Sequence, residues 1–171
     1  MSIPSFRDSF MFKKIIIRNF KRFSEESFDI NDVIVLAGAN NSGKTTLIQA
    51  IAVWNLALQK WLAERGPETG SKASKRTGVA ITRQAFTTIP LREMNLLWTD
   101  RSTALRKDEL RNGQKLGTPR ILEISISGAN HHGDWSLTFE FTYRYPDLIH
   151  VRPAQNTAIE GNLHNLLKKI N

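Results

Sequence analysis

The pattern at Gly38–Thr45 constrains the fold of this chain more than any other feature. The octapeptide GANNSGKT fits the spacing G-x-x-x-x-G-K-[ST], known as a Walker A loop. The apolar segment Val33–Gly38 is typical of a central strand buried on both faces of a parallel or mixed sheet. After the loop, apolar residues recur at helical intervals until Gly66-Pro67, which predicts a helix of about five turns. A strand, a phosphate loop and a long helix in this order predict an α/β domain.

The residue types in this loop predict a site for a nucleoside triphosphate with Mg²⁺. Gly38 and Gly43 permit backbone conformations in which successive N–H groups turn toward a phosphate. The following helix directs its unpaired N–H groups and positive dipole end at the same anion. We expect the Lys44 ammonium to reach the β- and γ-phosphates and the Thr45 hydroxyl to ligate Mg²⁺. The alternative is an ordinary glycine-containing turn between a strand and a helix.

Composition limits the class of protein and its location. Hydrophobic residues make up 40% of the chain, which is too apolar for a disordered protein. The absence of cysteine excludes disulfides and thiolate metal sites. The amino-terminal residues carry charge where a signal peptide needs an apolar core, and no segment approaches the ~20 apolar residues of a membrane span. We therefore expect a cytoplasmic protein that does not enter a membrane.

The net charge of +8 is concentrated in one part of the chain. Residues 60–120 hold 13 Lys or Arg against 6 Asp or Glu. Such a region can attract nucleic acid through phosphate contacts and counterion release, which makes DNA a candidate partner. The alternative is a solvated face or a mobile loop, because few aromatic residues are interspersed to stack on bases.

Alternating and turn-forming segments predict the remaining elements. We expect strands at 12–23, 79–86 and 147–155, a pairing of the first with "SFDI" at 27–30, a hairpin of strands 120–128 and 135–144, and a helix near the end of 90–112. Residues 66–78 are rich in Gly, Ser, Lys and Thr, which predicts a flexible loop. Residues 156–171 have a helical pattern that would suit the start of a coiled coil.

His131 and His132 lie in the hairpin turn, where adjacent side chains rarely converge on a metal, so we expect them to be solvated.

The segment "IIIRNFKRF" joined to "VIVLAGANNSGKTTLIQAI" resembles the amino-terminal half of the SMC/RecF-type ATPases of the ABC class. The Asn-Asn-Ser variant at Asn40–Ser42 is most similar to the OLD-type branch, the ATPases of overcoming-lysogenisation nucleases and related bacterial defence proteins. The resemblance is specific over Phe12–Trp54 and only architectural over Val79–Gln155. It implies an ABC-ATPase-like first lobe with a mixed central sheet, a long helix after the loop and an added antiparallel β-hairpin layer.

The resemblance also implies which residues hold ATP. The nucleotide-binding residues would be Gly38, Asn40, Asn41, Ser42, Gly43, Lys44, Thr45, Thr46 and Lys21. Asn41 stands where many relatives have Gly, and Lys21 stands where the family often has an Arg near the nucleotide. Arg18, Lys21 and Arg22 could equally be solvated strand ends. The family uses a Gln to bind Mg²⁺ and sense the γ-phosphate; Gln155 and Gln84 are the candidates, and a surface amide is the alternative for each.

Hydrolysis in this class needs an acidic pair after a buried strand, and such a pair is missing. The only adjacent acidic residues after the loop are Asp108-Glu109, which follow "TALRK". The serine-glycine signature that caps a partner's nucleotide is absent too. We therefore expect residues 1–171 to form a single incomplete ATPase head, weakly active or inactive alone. The resemblance implies a longer protein that dimerises head to head through the nucleotide and acts on DNA in repair, maintenance or phage defence, with a nuclease partner or domain.

Two other functions remain open at this stage. A complete small P-loop kinase could use the basic residues of 60–120 as a lid, although 37 residues precede Gly38 and the predicted antiparallel strands do not suit a small kinase. A scaffold module could bind nucleotide without hydrolysing it. Phosphoryl transfer to a small acceptor would favour the kinase, and full turnover by the chain alone would exclude the scaffold.

Overall fold

The computed structural model describes residues 11–30, 35–66, 77–87, 89–130 and 133–154. In these ranges the chain forms one six-stranded sheet with a single long α-helix on one face. The elements are β1 (Met11–Phe20), β2 (Phe23–Asp29), α1 (Lys44–Arg65), β3 (Val79–Thr82), β4 (Leu122–Asn130), β5 (Gly133–Tyr145) and β6 (Leu148–Pro153). The strand order is β2-β1-β4-β5-β6-β3, and every strand pairing is antiparallel.

The sheet has one apolar face and one polar face because its strands alternate with a period of two. On β5, Leu137, Phe139 and Phe141 are buried while the residues between them are partly exposed. The same alternation holds for Ile15 and Ile17 on β1. These patterns confirm the predicted strand at the amino-terminal end, its pairing with the SFDI segment, the hairpin of β4 and β5, and the last strand.

Helix α1 covers the apolar face with residues spaced three and four apart. The buried ones are Leu47, Ala50, Val53, Trp54, Ala57, Leu58 and Trp61. The Trp54 indole N–H donates to the carbonyl of Leu137 at 2.9 Å, and its ring packs edge-on against Phe139 at a centroid distance of 6.0 Å. The helix ends at Gly66, whose φ is 74° and whose N–H donates to the Leu62 carbonyl. The long helix and its glycine stop are therefore confirmed.

The polar face carries a row of charges across the strands. Arg18 on β1 pairs with Glu25 on β2 at 2.9 Å and with Glu123 on β4 at 3.0 Å. Arg152 on β6 pairs with Glu140 on β5 at 2.9 Å. These partly exposed pairs each stabilise the fold by only about 0–1 kcal/mol. They make this face of the sheet polar, and the Arg18 guanidinium is engaged by Glu25 and Glu123.

The predicted central strand at Val33–Gly38 is wrong over the residues that the structure describes. Residues 35–38 have no strand conformation, and Val35 is 83% exposed. A continuously apolar strand needs a neighbour on each side. Within the described ranges, the six strands pair with one another and, through an isolated bridge, with Trp98, and none pairs with residues 35–38. The predicted mixed sheet is wrong for the same reason, because no parallel pairing is present there.

Two further predictions need correction. The β4–β5 hairpin was expected as an added layer, but it lies at the centre of the only sheet described, because its apolar face is needed under α1. The helix expected near the end of 90–112 is replaced by short 3₁₀ turns at Met94–Leu97, Thr99–Arg101 and Lys107–Glu109. Left-handed backbone at Asp100 (φ 53°) and Arg101 (φ 57°) interrupts any longer helix.

Some predicted features lie outside the described residues. They are most of the loop at 66–78, the turn histidines His131 and His132, Gln155, and the helical segment at 156–171. In the ranges that are described, no helix combines the length and the apolarity needed to cross a membrane.

Candidate phosphate-binding site

A cavity of about 220 Å³ lies at the amino-terminal end of α1. Its walls are formed by Arg22, Asn40, Asn41, Ser42, Gly43, Lys44, Thr45 and Thr46. Seven of these residues are consecutive in the loop and the first helical turn, and each was predicted from the sequence. The eighth, Arg22, comes from the turn between β1 and β2. The structure therefore brings the loop and this turn together around one space.

The loop has positive φ angles at three positions. They are 148° at Gly38, 73° at Asn41 and 98° at Gly43. Asn tolerates left-handed backbone better than most other residues with a side chain. The side chain of Asn41 is therefore compatible with the positive φ at this position.

Gly43 is also required by a close contact. A Cβ at this position would lie 2.9 Å from the ring of Phe23, the first residue of β2. Phe23 is buried and packs against Phe28 with ring centroids 5.6 Å apart, so its ring has little room to move. The glycine therefore lets the phosphate loop lie directly against the β1–β2 hairpin.

The amino-terminus of α1 lacks any side-chain cap. Its N-cap residue is Gly43, and the first turn contains no acidic residue. The first intrahelical bond runs from the N–H of Leu47 to the carbonyl of Gly43 at 2.9 Å. The N–H groups of Lys44, Thr45 and Thr46 therefore have no acceptor in the helix. A helix end of this kind attracts an anion through its N–H groups and its dipole.

The Lys44 side chain folds back over the loop. Its ammonium donates to the carbonyl of Gly38 at 2.6 Å, to the carbonyl of Ala39 at 2.8 Å and to the Ser42 hydroxyl at 3.1 Å. All three acceptors are neutral, so the loop places a positive charge beside the helix terminus without neutralising it. An anion in the cavity would supply the opposite charge.

Arg22 is the site residue that sequence analysis placed only among possible solvated strand ends. Its turn is held by a bond from the Lys21 N–H to the Leu97 carbonyl at 2.8 Å and by one from the Thr99 hydroxyl to the Phe23 carbonyl at 3.0 Å. Within the described part of the chain, the Arg22 guanidinium has no ion pair or hydrogen bond. Phe20 pairs with Phe23, which leaves residues 21 and 22 as the turn.

Lys21 was predicted to lie near the nucleotide, but its side chain does not line the cavity. Its ammonium donates to the Gln49 side-chain oxygen on α1 at 2.6 Å and lies 5.9 Å from the centre of the Phe20 ring. Burial lowers the pKa of Lys21 from its ordinary value. A contact between Lys21 and a nucleotide stays a prediction.

Of the two predicted γ-phosphate sensors, the structure describes Gln84, which does not line this cavity. Gln84 is exposed in the 3₁₀ turn after β3, at the edge of the sheet farthest from the β1–β2 hairpin. Gln155 lies outside the described residues. The roles of these two glutamines therefore remain untested.

No carboxylate of the described residues lines the cavity. Glu109, from the adjacent acidic pair that follows the loop in sequence, accepts from the Arg106 N–H at 2.7 Å and from the Arg120 guanidinium. These two bonds lower the pKa of Glu109, and its carboxylate is engaged away from the loop. The described ranges also contain no group of three His, Asp or Glu side chains arranged to hold a metal. The described lining therefore combines cationic groups and free helix N–H groups, which suit an anion, without a carboxylate.

Residues 11–78 match the family model of an AAA ATPase domain. The matched segment contains β1, β2, the phosphate loop and α1, and therefore every residue that lines the cavity described above. The match supports a P-loop ATPase and therefore ATP binding. No curated protein matches the chain.

Proposed function

We propose that residues 38–46 and Arg22 bind the triphosphate of ATP together with Mg²⁺. The observation that carries this proposal is the uncapped amino-terminus of α1, which lies in one cavity with two cationic side chains, Lys44 and Arg22. An anion of several negative charges would satisfy the orphan N–H groups and neutralise both cations. The match to an AAA ATPase domain supports ATP as the source of that anion.

Each part of the cavity has a distinct role in this proposal. The N–H groups of Lys44, Thr45 and Thr46 hold phosphate oxygens through the helix terminus. The Lys44 ammonium exchanges its bonds to the loop carbonyls for bonds to phosphate, and Arg22 adds a second charge from the opposite wall. The exposed Thr45 hydroxyl would hold Mg²⁺, which neutralises charge on the phosphate oxygens when bound.

We further propose that this chain is the first lobe of an ATPase head that another lobe completes. Exposed large apolar residues on both sides of the loop in sequence support this proposal: Val35 and Leu36 precede it, and Ile48 and Ile51 follow it. Exposed apolar side chains, where they are contiguous on a surface, often mark a contact with another domain or chain. A second lobe could supply neighbouring strands for residues 35–38 and the missing acidic pair. Alone, the chain should bind ATP with little or no turnover.

The biological setting is proposed from the resemblance to SMC/RecF/OLD-type ATPases. In that setting two heads would dimerise through ATP in the cytoplasm, and the complete protein would act on DNA in repair, maintenance or phage defence, with a nuclease partner or domain. The regional positive charge gives modest support for DNA.

The nucleotide proposal is tested by Lys44→Ala. Removing a charge-assisted contact of about 1.5–3 kcal/mol should weaken Mg-ATP binding roughly 10- to 100-fold. The matched control is Lys60→Ala, on the same helix but away from the cavity. Binding is measured by isothermal titration calorimetry with the purified chain. An equal ATP affinity for both variants and the wild type would remove the assignment.

A further inference from the structure

A second cavity, of about 440 Å³, lies on the polar face of the sheet, away from α1. We call it the outer-face cavity. Its polar walls include Gln114, Thr118, Thr142, Arg144, His150 and Arg152. None of these residues lines the cavity at the phosphate loop. Its volume falls within the ~300–1,000 Å³ of ordinary small-ligand sites.

Strands β5 and β6 place three basic side chains, Arg144, His150 and Arg152, in the lining of the outer-face cavity. His150 and Arg152 are two residues apart on β6 and therefore share a face, and Thr142 on β5 is the direct partner of His150. Arg144 is the extra residue at an irregularity in the β5–β6 pairing, between Tyr143 and Tyr145. Such irregularities redirect side chains, and here Arg144 lines the same cavity.

Little in the described residues compensates these positive groups. Arg144 has no ion pair or hydrogen bond within the described ranges. Arg152 donates through Nε to Glu140 at 2.9 Å, which leaves its terminal N–H groups available. Among the described residues, Glu140 is the only carboxylate paired with any of the three, and none of them places a carboxylate in the lining. The described part of the site therefore offers cationic and hydroxyl donors without a matching anion.

The environment of His150 agrees with this excess of positive charge. Burial and, next, the charge of Arg144 lower the pKa of His150 from its ordinary value. The other charged groups near it are Arg152 on the same strand and Glu140, which pairs with Arg152. Ala80, its partner on β3, and the lining residues of the 114–119 segment are uncharged; Lys115 of that segment is charged but does not line the cavity. A bound anion would favour the protonated imidazole and so raise the pKa of His150, against the effects of burial and of Arg144.

We propose that the outer-face cavity binds a phosphate group through Arg144, Arg152, His150 and the Thr142 hydroxyl. A tetrahedral anion with several oxygens can accept from guanidinium, imidazole and hydroxyl donors at once. The phosphate could belong to a small molecule or to the backbone of a nucleic acid. The proposal does not depend on ATP binding at the phosphate loop.

The first test follows the His150 imidazole by NMR in the Lys44→Ala chain, in which we expect phosphate binding at the loop to be weakened. His150 is identified by the resonance that His150→Gln removes. Titration with inorganic phosphate at fixed pH should shift this resonance with saturation. With saturating sulfate, whose charge stays constant over the titration, the pKa of His150 should rise. A resonance and a pKa that both stay unchanged would overturn the proposal.

The second test compares two substitutions that each remove one positive charge. Arg144→Gln should weaken phosphate binding about tenfold, because it removes a charge-assisted contact. Arg111→Gln, on the segment that forms one wall but outside the lining, should leave the affinity unchanged. Both variants should melt like the parent chain, since both side chains are exposed. If Arg144→Gln fails to fold, calorimetry on His150→Gln replaces it, and the same loss is expected. Equal affinity in the two arginine variants would contradict the proposal.

A third arm identifies the source of the phosphate. A short single-stranded DNA should shift the His150 resonance at lower concentration than inorganic phosphate, with a steep salt dependence, if the ligand is a nucleic-acid backbone. A shift with inorganic phosphate and none with DNA assigns the site to a small phosphate compound. A response to neither would overturn the proposal for both sources.

Discussion

The sheet with its helix and the segment at residues 35–42 differ in burial and in backbone pairing. In the sheet, the strands pair with one another, and Phe139, Ile17 and Val151 on its apolar face are fully buried. In the segment, Val35 and Leu36 are apolar but exposed, and their backbone joins none of the described strands. The sheet and helix satisfy their own packing within the described chain. The residues that enter the phosphate loop do not, although the loop carries the proposed function.

Among the described residues, two parts of the fold position the phosphate site. Helix α1 carries Lys44, Thr45 and Thr46, and the β1–β2 hairpin carries Arg22 and packs Phe23 against Gly43. None of the described strands pairs with residues 35–38. Changes in the sheet should therefore affect stability, and changes in the loop should affect binding.

The largest expected effect on this contrast comes from Phe139→Ala. Phe139 is fully buried and packs against Trp54, so its loss should lower the free energy of unfolding by about 3–5 kcal/mol. Tyr145→Ala is the matched control on the same strand, because Tyr145 is 66% exposed, and it should cost no more than about 0.5 kcal/mol. Urea denaturation measures both. A small effect of Phe139→Ala would mean that the sheet is not the stable part.

Gly43→Ala should separate binding from stability. The new Cβ would need the positive φ of 98° and would lie 2.9 Å from Phe23, a local cost of about 1–3 kcal/mol that displaces the loop. We expect ATP affinity to fall on the order of 10- to 100-fold. Gly113→Ala has a similar φ of 87° but open space around it, and it should leave ATP binding unchanged. Calorimetric titration of both variants with Mg-ATP measures the two affinities. Equal losses in the two variants would contradict the prediction that the contact of Gly43 with Phe23 positions the phosphate loop.

Arg22→Gln sharpens the claim that the hairpin supplies one wall of the site. Loss of its guanidinium should weaken Mg-ATP binding about tenfold, as expected for one charge-assisted contact. Arg18→Gln removes the same charge from β1, but Arg18 is paired on the polar face with Glu25 and Glu123. That control should bind ATP like the wild type. Equal affinities for the two variants would place Arg22 outside the site.

Val35→Ser should have the smallest effect on stability. Val35 is 83% exposed, so we expect the free energy of unfolding to change by no more than about 0.5 kcal/mol. The same exchange at the fully buried Val151 should cost at least about 2 kcal/mol, since it removes packing and buries a hydroxyl. Comparable losses at the two positions in urea denaturation would show that residues 35–38 belong to the core.

Local patterns predicted most of the fold but not how the sheet is assembled. The alternation in β1, β4, β5 and β6 and the helical spacing of α1 are visible in the sequence because each element buries one face. Residues 33–38 have the pattern of a buried strand, but burial depends on neighbouring strands, which that pattern does not specify. The position of the β4–β5 hairpin at the sheet centre likewise depends on pairings between distant segments.

The site was predictable to the extent that it is local in sequence. Asn40–Thr46 are contiguous, and the loop pattern names them directly. Arg22 lies at the cavity because the turn after Phe20 folds against Gly43, a contact between segments about twenty residues apart. Whether Lys21 or Arg22 lines the cavity depends on the direction in which each side chain extends from that turn. The left-handed φ of 51° at Lys21, which the sequence does not reveal, accompanies a side chain directed to Gln49.

The most direct test of the account follows the backbone amides of Lys44, Thr45 and Thr46 by NMR during a titration with Mg-ATP. If the uncapped end of α1 binds the triphosphate, these three resonances should shift most and saturate together, and in Lys44→Ala the shifts should need roughly 10- to 100-fold more Mg-ATP. If ATP binds while these amides stay unchanged, or if no resonance responds to ATP, the central claim is contradicted.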